Sequence, residues 1–406
     1  MHKIQVIKTF ASEVSASLNK QGIKLGTVLL ILITVVPFSQ MSAAETSVQF
    51  AGFSYISDYQ DIDQLFPLSN KANRGGAASR GAIDAELGNR LKSVSPSGYR
   101  LDVDVLAKPN ADAIVTSLAL TREVVLVEKI DENYKLLIQL SASALFVDFE
   151  SMQILKEQPI NVQFVDAKPE PYTDREIEQA VERLYFNPGK IDLLGQYIAA
   201  LNGYSPKRNY SNTIRVGDVI VDDSVSEFLP EYLQAQGSLE AMLAQSIGKS
   251  LVEHHNVSLL PFKKGYAIGN KMSMRFADGK VFSLAIPEPD FELSIQLEAI
   301  KKVLFSDTAA GQTWVYGVLS SFEVIEPLSQ KTYAKFSFKN GVTKVVPRSQ
   351  RHWEDWPPFE ESIRAGYSKL SLALVSPTKQ FSKRHLGGGK EIDQLKSFMG
   401  VLDKCK

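Results

Sequence analysis

The sequence predicts an α+β protein of two domains, each an antiparallel sheet covered by helices on one face. Three observations predict this class. Apolar and β-branched residues alternate with period two between Ala111 and Asp166, and again beyond Val257. Tight polar connections such as Asp131-Glu132-Asn133 join successive strands without a helix between them, which is typical of a meander rather than of βαβ units. Apolar residues with helical spacing flank both sheets.

Apolar spacing and turn residues place the elements of the first half. Thr173 followed by Glu176 is a capping-box pattern, so a helix is expected to begin at Asp174. Pro159 within the last strand indicates an edge or a bulge. The predicted elements are a strand Val48–Ile56, a helix Arg80–Val94, the meander Ala111–Asp166, and helices Asp174–Leu184 and Ile191–Leu201.

The second half repeats this order of strands and helices. Its predicted elements are strands Thr213–Val221 and Val257–Phe262 around a helix Glu231–His255, strands Met272–Ile286, Phe291–Leu304, Trp314–Ile325 and Thr332–Phe338, and a helix Phe359–Leu374. The hairpin Tyr134–Asp148 with Ile154–Val165 corresponds to the last two of these strands. A tandem duplication is therefore the preferred organisation. The alternative is that two unrelated antiparallel sheets give similar patterns.

The first 44 residues have the pattern of an export signal. Lysines precede an apolar run of roughly 14 residues, Leu25–Phe38, which is shorter than the about 20 residues that a membrane-spanning helix needs. Ser42-Ala43-Ala44 predicts cleavage after Ala44; an uncleaved N-terminal anchor is the alternative. The predicted organisation is a signal peptide over residues 1–44, α+β domains over 45–205 and 206–376, and a polar, flexible C-terminal tail over 377–406.

Charge and cysteine content exclude several classes of function. The chain has 45 basic and 46 acidic residues, so no overall field favours nucleic acid, and we expect no nucleic-acid partner. The single cysteine, Cys405, precludes an intrachain disulfide, and we interpret it as an incidental exposed thiol. No cysteine follows the predicted cleavage site, which excludes a lipid anchor there. These features predict a periplasmic protein of a Gram-negative bacterium.

No motif predicts catalytic, cofactor-binding or metal-binding residues. The adjacent His254 and His255 point about 100° apart on a helix and have no third ligand at metal-binding spacing, so we interpret them as a polar helix end. Gly265 to Gly269 lacks the third glycine and the following helix of a phosphate loop. The chain has no GxSxG sequence, and its paired carboxylates are of a kind common on solvated sheets.

One segment concentrates residues that commonly form binding sites. Two of the three tryptophans lie between Arg348 and Phe359, beside charged residues and two prolines. Exposed indoles next to arginine are typical of binding hot spots. The predicted partner-binding residues are Arg351, His352, Trp353 and Trp356. The alternative interpretation is structural: the same side chains attach the loop before the last helix to the sheet.

Short motifs resemble parts of two envelope protein families. The helix Glu231–His255 leading into Val257–Phe262, and the pair Tyr316-Gly317, resemble α/β domains of the amino-terminal part of TolB and of curli-secretion lipoproteins. The resemblance covers about 100 residues, and the chain lacks the lipid-bearing cysteine of the curli type. It implies a non-enzymatic component of an envelope assembly.

Together these observations predict a non-catalytic periplasmic binding or assembly factor with an envelope protein as its partner and no cofactor. Two alternatives remain open. One is a periplasmic hydrolase of cell-wall or glycan material, which requires a buried carboxyl group with a perturbed pKa in a cleft. The other is a small-ligand-binding protein with its site between the two domains.

Overall fold

A computed structural model describes residues 46–56, 62–74, 81–103, 113–189, 192–207, 210–235, 237–262, 271–276, 279–350, 352–389 and 391–406. The predicted signal peptide and the glycines at 265 and 269 lie outside these residues. Glu45–Lys406 form one compact unit. Within the described residues, no helix is both long and apolar enough to cross a membrane.

The first half of the chain forms strands β1–β5 and helices α1–α5. The strands are β1 Ser47–Ile56, β2 Arg100–Asp102, β3 Ile114–Ile130, β4 Asn133–Asp148 and β5 Gln153–Lys168. The helices are α1 Ile62–Leu65, α2 Pro67–Arg74, α3 Ala82–Leu91, α4 Asp174–Phe186 and α5 Leu193–Asn202. The capping box predicted at the start of α4 is present, because Thr173 and Glu176 each accept a hydrogen bond from the other's backbone N–H.

The second half contains strands β6–β12 and helices α6–α10. The strands are β6 Ile214–Val221, β7 Leu259–Leu260, β8 Lys271–Phe276, β9 Val281–Ala285, β10 Phe291–Asp307, β11 Gly311–Glu326 and β12 Lys331–Pro347. The helices are α6 Glu231–Gln234, α7 Ser238–His255, α8 Trp356–Val375, α9 Lys379–His385 and α10 Ile392–Lys404, and a 3₁₀ helix covers Asp223–Phe228.

The chain forms two sheets together with helices, which confirms the α+β class with two sheet regions. The two sheets also share one strand order. The first sheet contains the order β2-β1-β3-β4-β5, and the second has β7-β6-β10-β11-β12. In both, the first long strand pairs in parallel with a short strand and with the start of an antiparallel three-stranded meander. Both sheets are therefore mixed, whereas the sequence predicted antiparallel sheets. The repeated order agrees with the predicted duplication.

Corresponding hairpin turns in the two sheets also share their local geometry. Met152 precedes β5 and Gln330 precedes β12, and both have positive φ, 53° and 57°. The residue before each of them is a serine whose hydroxyl donates to the acid that ends the preceding strand, Ser151 to Asp148 at 2.5 Å and Ser329 to Glu326. The match extends the resemblance of the halves from strand order to individual hydrogen bonds.

The strands at Met272–Ile286 belong to the first sheet rather than to the second domain predicted for them. β8 and β9 form an antiparallel hairpin; β8 pairs with β1, and β9 meets the start of β5. Strands β1, β3, β4, β5, β9 and β8 therefore close into a ring. A small apolar core that includes Leu145, Met274 and Leu284 fills the side of the sheet that faces this hairpin. The period-two pattern identified the strands but could not identify their partners.

The C-terminal segment is folded, contrary to the predicted flexible tail. Helix α10 buries Leu395, Phe398, Val401 and Leu402 against the second sheet and its covering helices. The Cys405 thiol is also buried, and burial raises its pKa to about 12. The carbonyl of Cys405 accepts a hydrogen bond from the Ser258 N–H at 2.7 Å. The thiol is therefore neither exposed nor activated.

Candidate functional site

A cleft of about 770 Å³ lies between the first sheet and the second half of the chain. Its floor is formed by the ends of β3, β4 and β5, and its walls by residues 227–232 and 352–360. The lining combines apolar, aromatic and charged side chains: Leu126, Leu137, Val165, Phe228, Tyr232, Trp353, Glu128, Lys135, Glu227 and Glu354. The lining also includes three of the four predicted partner-binding residues, His352, Trp353 and Trp356.

The floor of the cleft is apolar because strand register places three aliphatic residues side by side. Leu137 on the central strand pairs with Leu126 on one side and with Val165 on the other, so all three point to the same face. Leu137 is buried, Leu126 is half-buried, and Val165 keeps 52% of its surface exposed. The exposed surface of Val165 is available to an occupant of the cleft.

The predicted partner-binding residues differ widely in exposure. His352 is exposed at the wall of the cleft, and Trp353 is half-buried against the second core. Trp356 is only 5% exposed and belongs to that core, so the structural interpretation holds for its indole. Arg351 lies outside the described residues. Two prolines in the first turn of α8 are compatible with a helix that begins at Trp356, three residues earlier than predicted.

A hydrogen-bond network fixes the wall that carries Trp353. The Trp353 Nε1–H donates to the Tyr316 hydroxyl at 2.6 Å, and this hydroxyl donates to Asp355 Oδ1 at 2.8 Å. Lys302 forms an ion pair with the same carboxylate oxygen at 2.7 Å. Burial, and then the nearby Asp355, raise the pKa of Tyr316, so the hydroxyl remains protonated and can donate. The wall is therefore held in place without a ligand.

An ion pair connects the floor of the cleft to this wall. Lys135 on β4 contacts Glu354, and its Nζ also lies 3.8 Å from Glu128. The side chains of Lys135 and Glu354 are only 16% and 28% exposed, so solvent screens this pair less than a surface pair. Because Lys135 belongs to the first half and Glu354 to the second, the pair fixes the width of the cleft at this point.

Burial raises the pKa of two described glutamates, Glu157 and Glu123, and neither of them lines the cleft. Burial raises the pKa of Glu157 on β5 to about 7, and its carboxyl group contacts the Ser143 hydroxyl. Glu157 is eight residues from Val165 along the strand, or about 26 Å at the usual rise per residue. Three acids of the cleft, Glu354, Asp355 and Glu360, each form an ion pair instead.

The histidine pair forms structural hydrogen bonds. His254 Nδ1 lies 3.1 Å from the Ser371 hydroxyl, and His255 Nε2 lies 2.8 Å from the carbonyl oxygen of the same residue. Both histidines lie in the last turn of α7 and connect it to α8. Among the described residues, no group of three or more His, Cys, Asp or Glu side chains could hold a metal ion.

Comparisons with known proteins give similarity of structure but no family. No protein-family model matches the chain, and no curated protein matches it. A neuraminyllactose-binding hemagglutinin homolog from Helicobacter pylori is similar over 48% of this chain and 98% of its own, with 10% identity and a TM-score of 0.23. Two further similar structures cover a smaller share of this chain.

A Xanthomonas campestris protein of the family DUF330 is similar over 42% of this chain and 86% of its own, with 10% identity and a TM-score of 0.22. A minor lipoprotein from Acinetobacter baumannii is similar over 39% of this chain and 90% of its own, with 12% identity and a TM-score of 0.22. All three are bacterial proteins.

Sequence reasoning found the wall of the cleft and missed its floor. Leu126, Leu137 and Val165 each follow the period-two pattern, but that pattern does not tell which face remains open. In the sequence Tyr316 is distinguished only as part of a Tyr-Gly pair, although its hydroxyl joins Trp353 to Asp355 in the structure. Lys135 had no sequence signal, because its partner Glu354 is 219 residues away.

Tyr316→Phe is expected to lower the free energy of unfolding by about 1–3 kcal/mol, because it leaves the Trp353 N–H and the Asp355 carboxylate without their shared partner. Urea unfolding followed by tryptophan fluorescence measures this change. Tyr333→Phe is the matched control, since Tyr333 makes its described contacts through the ring. Equal stability of the two variants would contradict the role of this network.

Proposed function

We propose that this protein is a non-catalytic binding protein of the bacterial envelope, and that the cleft receives an apolar segment of a partner protein. The observation that carries the proposal is the open apolar floor, on which Val165 is half exposed beside a fixed aromatic wall. Exposed apolar surface rimmed by polar residues is typical of interaction sites. The predicted signal peptide supports a place of action in the periplasm.

Preorganisation of the cleft supports binding rather than chemistry. Trp353 is positioned by Tyr316, and Glu354 by Lys135, before any occupant arrives. An occupant would therefore cost little ordering of these side chains, which favours affinity. Since Glu354, Asp355 and Glu360 are ion-paired, the cleft supplies apolar contact and fixed charge, and we propose no catalytic role for them.

A small amphipathic ligand is a second candidate occupant, and the cleft volume favours it. The value of about 770 Å³ lies within the range of about 300–1,000 Å³ that is usual for small-molecule sites. The cleft also lies between the two halves of the chain, where such sites often occur. The hydrolase alternative has less support, because neither Glu157 nor Glu123, the two described glutamates whose pKa burial raises, lines this cleft or the three other described cavities.

A photocrosslinking experiment tests the proposal. A photoreactive phenylalanine derivative replaces the exposed His352 in the full chain, and adducts formed in intact cells are resolved by mass. We expect a discrete protein adduct that Val165→Glu reduces by about tenfold or more, because a buried charge on the floor would have no partner. Val281→Glu is the control, since Val281 is 48% exposed on β9 and lies outside the cleft.

The possible results separate the two occupants. Loss of the adduct in Val165→Glu alone supports a protein segment in the cleft. A small molecule that copurifies with the native chain, and is absent from Val165→Glu in native mass spectrometry, supports the second candidate. Equal adducts in both variants would overturn the assignment of this cleft as the binding site.

A further inference from the structure

A second cavity, distinct from the cleft, concentrates positive charge at the edge of the second sheet. It has a volume of about 550 Å³ and lies where β10, β11 and β12 meet α8 and α9. Five cationic or titratable basic residues line it: Lys301, Lys339, Lys369, Arg384 and His385. No carboxylate is among its lining residues. We call this cavity the basic groove.

Within the described residues, no ion pair neutralises the charges of the four lysine and arginine residues of the basic groove. Lys301, Lys339, Lys369 and Arg384 form no ion pair with any residue in the described part of the chain. Two other lysines of β12, the strand that carries Lys339, do form ion pairs: Lys335 with Glu323 and Lys344 with Glu361. In a chain with 45 basic and 46 acidic residues, this local excess is a property of the site and not of the composition.

Backbone geometry keeps the groove open between its charged walls. Gly317 and Gly341 face each other on β11 and β12, and Lys301 pairs with Gly317 on the third strand. Because glycine has no side chain, the cross-strand row Lys301, Gly317 and Gly341 carries a side chain only at Lys301. A neighbouring cross-strand pair, Ala299 on β10 and Leu319 on β11, adds a small apolar surface. The groove thus joins a cationic lining to an apolar floor.

Specific contacts hold two of the basic residues in place. The His385 Nδ1–H donates to the Lys339 carbonyl at 2.9 Å, and the ring lies 5.6 Å from Phe338 and 4.6 Å from Phe381 between centroids. Lys369 Nζ donates to Asn340 Oδ1 at 3.1 Å. These contacts fix the position of α9, and with it Arg384, beside the edge strand. Folding therefore already orders part of the cationic lining, and ligand binding costs less side-chain entropy.

We propose that the basic groove binds a phosphate group carried by a small or lipid molecule. Guanidinium and ammonium groups bind phosphate through charge-assisted hydrogen bonds, and Arg384 offers the planar donor set that binds it through two parallel bonds. The apolar floor would contact the part of the ligand next to the phosphate. An anionic lipid headgroup and a soluble phosphate compound share this chemistry, and the experiment distinguishes them.

The test compares two double variants of the full chain that remove the same charge. Lys339→Gln/Arg384→Gln removes two cations of the groove, whereas Lys379→Gln/Lys383→Gln removes two from the same region of the chain, on α9 outside the groove. Calorimetric titration with pyrophosphate and cosedimentation with phosphatidylglycerol vesicles, each at fixed salt, measure binding. We expect the groove variant to lose about tenfold or more of the affinity and the control to lose less than about twofold.

Each outcome decides the proposal. Binding of pyrophosphate that only the groove variant loses assigns a soluble phosphate ligand. Binding of the phosphatidylglycerol vesicles alone, absent with phosphatidylcholine and lost only in the groove variant, assigns a lipid headgroup. Equal losses in the two double variants, or no binding to either probe by the native chain, would overturn the proposal. Neither result depends on the cleft, so the proposed function is tested separately.

Discussion

Phe398→Ala is expected to lower the free energy of unfolding by about 3–5 kcal/mol, the usual cost of removing a fully buried phenylalanine side chain. Phe398 has no exposed surface, and its ring lies 6.5 Å from that of Phe336 on β12. The variant would leave a cavity between α10 and the second sheet. Urea unfolding followed by circular dichroism measures the loss.

Leu372→Ala is the control for this prediction, because Leu372 is a helical residue with 52% of its surface exposed. We expect it to change the free energy of unfolding by less than about 0.5 kcal/mol. If Phe398→Ala behaved like this control, α10 would not be packed as described. That result would instead support the flexible C-terminal tail that the sequence predicts.

Glu157→Gln is expected to stabilise the protein above pH 7 by an amount on the order of 3 kcal/mol. Burial raises the pKa of Glu157 from 4.5 to about 7 in the folded state. As the pH rises from about 4.5 to 7, the unfolded chain ionises first, so the native protein loses stability over this interval. Glutamine has no such ionisation and can still accept the hydrogen bond from the Ser143 hydroxyl.

The measurement is the difference between native and variant free energies of unfolding at pH 4, 5, 6, 7 and 8. Burial also lowers the pKa of His255 and of Lys156 on β5, and taking the difference removes these contributions because they are common to both proteins. Glu182→Gln, the same substitution at an exposed position on α4, is the control. A difference for Glu157→Gln that does not vary with pH, or that equals the difference for this control at every pH, would contradict the raised pKa.

Local signals were sufficient for the hairpins and for the start of α4. The strand predicted over Tyr134–Asp148 is observed as Asn133–Asp148, and the tight connection includes Asp131, whose φ is 53°. The capping box at Thr173 forms as predicted. These features depend on residues fewer than about 20 positions apart, where turn chemistry and alternation carry the information.

Non-local pairing could not be predicted in the same way. The parallel contact of β1 with β3 and the insertion of β8 and β9 into the first sheet leave no periodic signal in either partner. The C-terminal helix did have a signal, since Leu395, Phe398 and Leu402 follow helical spacing. The three glycines at 387–389 and the surrounding charge suggested flexibility instead. In the structure they form the connection between two short helices.

At the candidate site, sequence identified the segment but not the roles of its residues. Trp353 and Trp356 are three residues apart and both line the cleft, yet Trp353 is half-buried whereas Trp356 is 5% exposed and belongs to the core. The difference follows from the helix start at Trp356, which turns that indole inward. Only strand register shows that Val165 belongs to the floor, because it places Val165 in the same cross-strand row as Leu126.

The ring that β8 and β9 close has a consequence for how the chain reaches its native state. Synthesis delivers the Ser54–Ile56 end of β1 and Gln153 of β5 long before residue 271, so these backbone groups lack their partners on β8 and β9 while more than a hundred further residues emerge. Such exposed edges invite pairing with the wrong strand or with a neighbouring chain. A protein with this topology gains from being kept unfolded until its whole length is available.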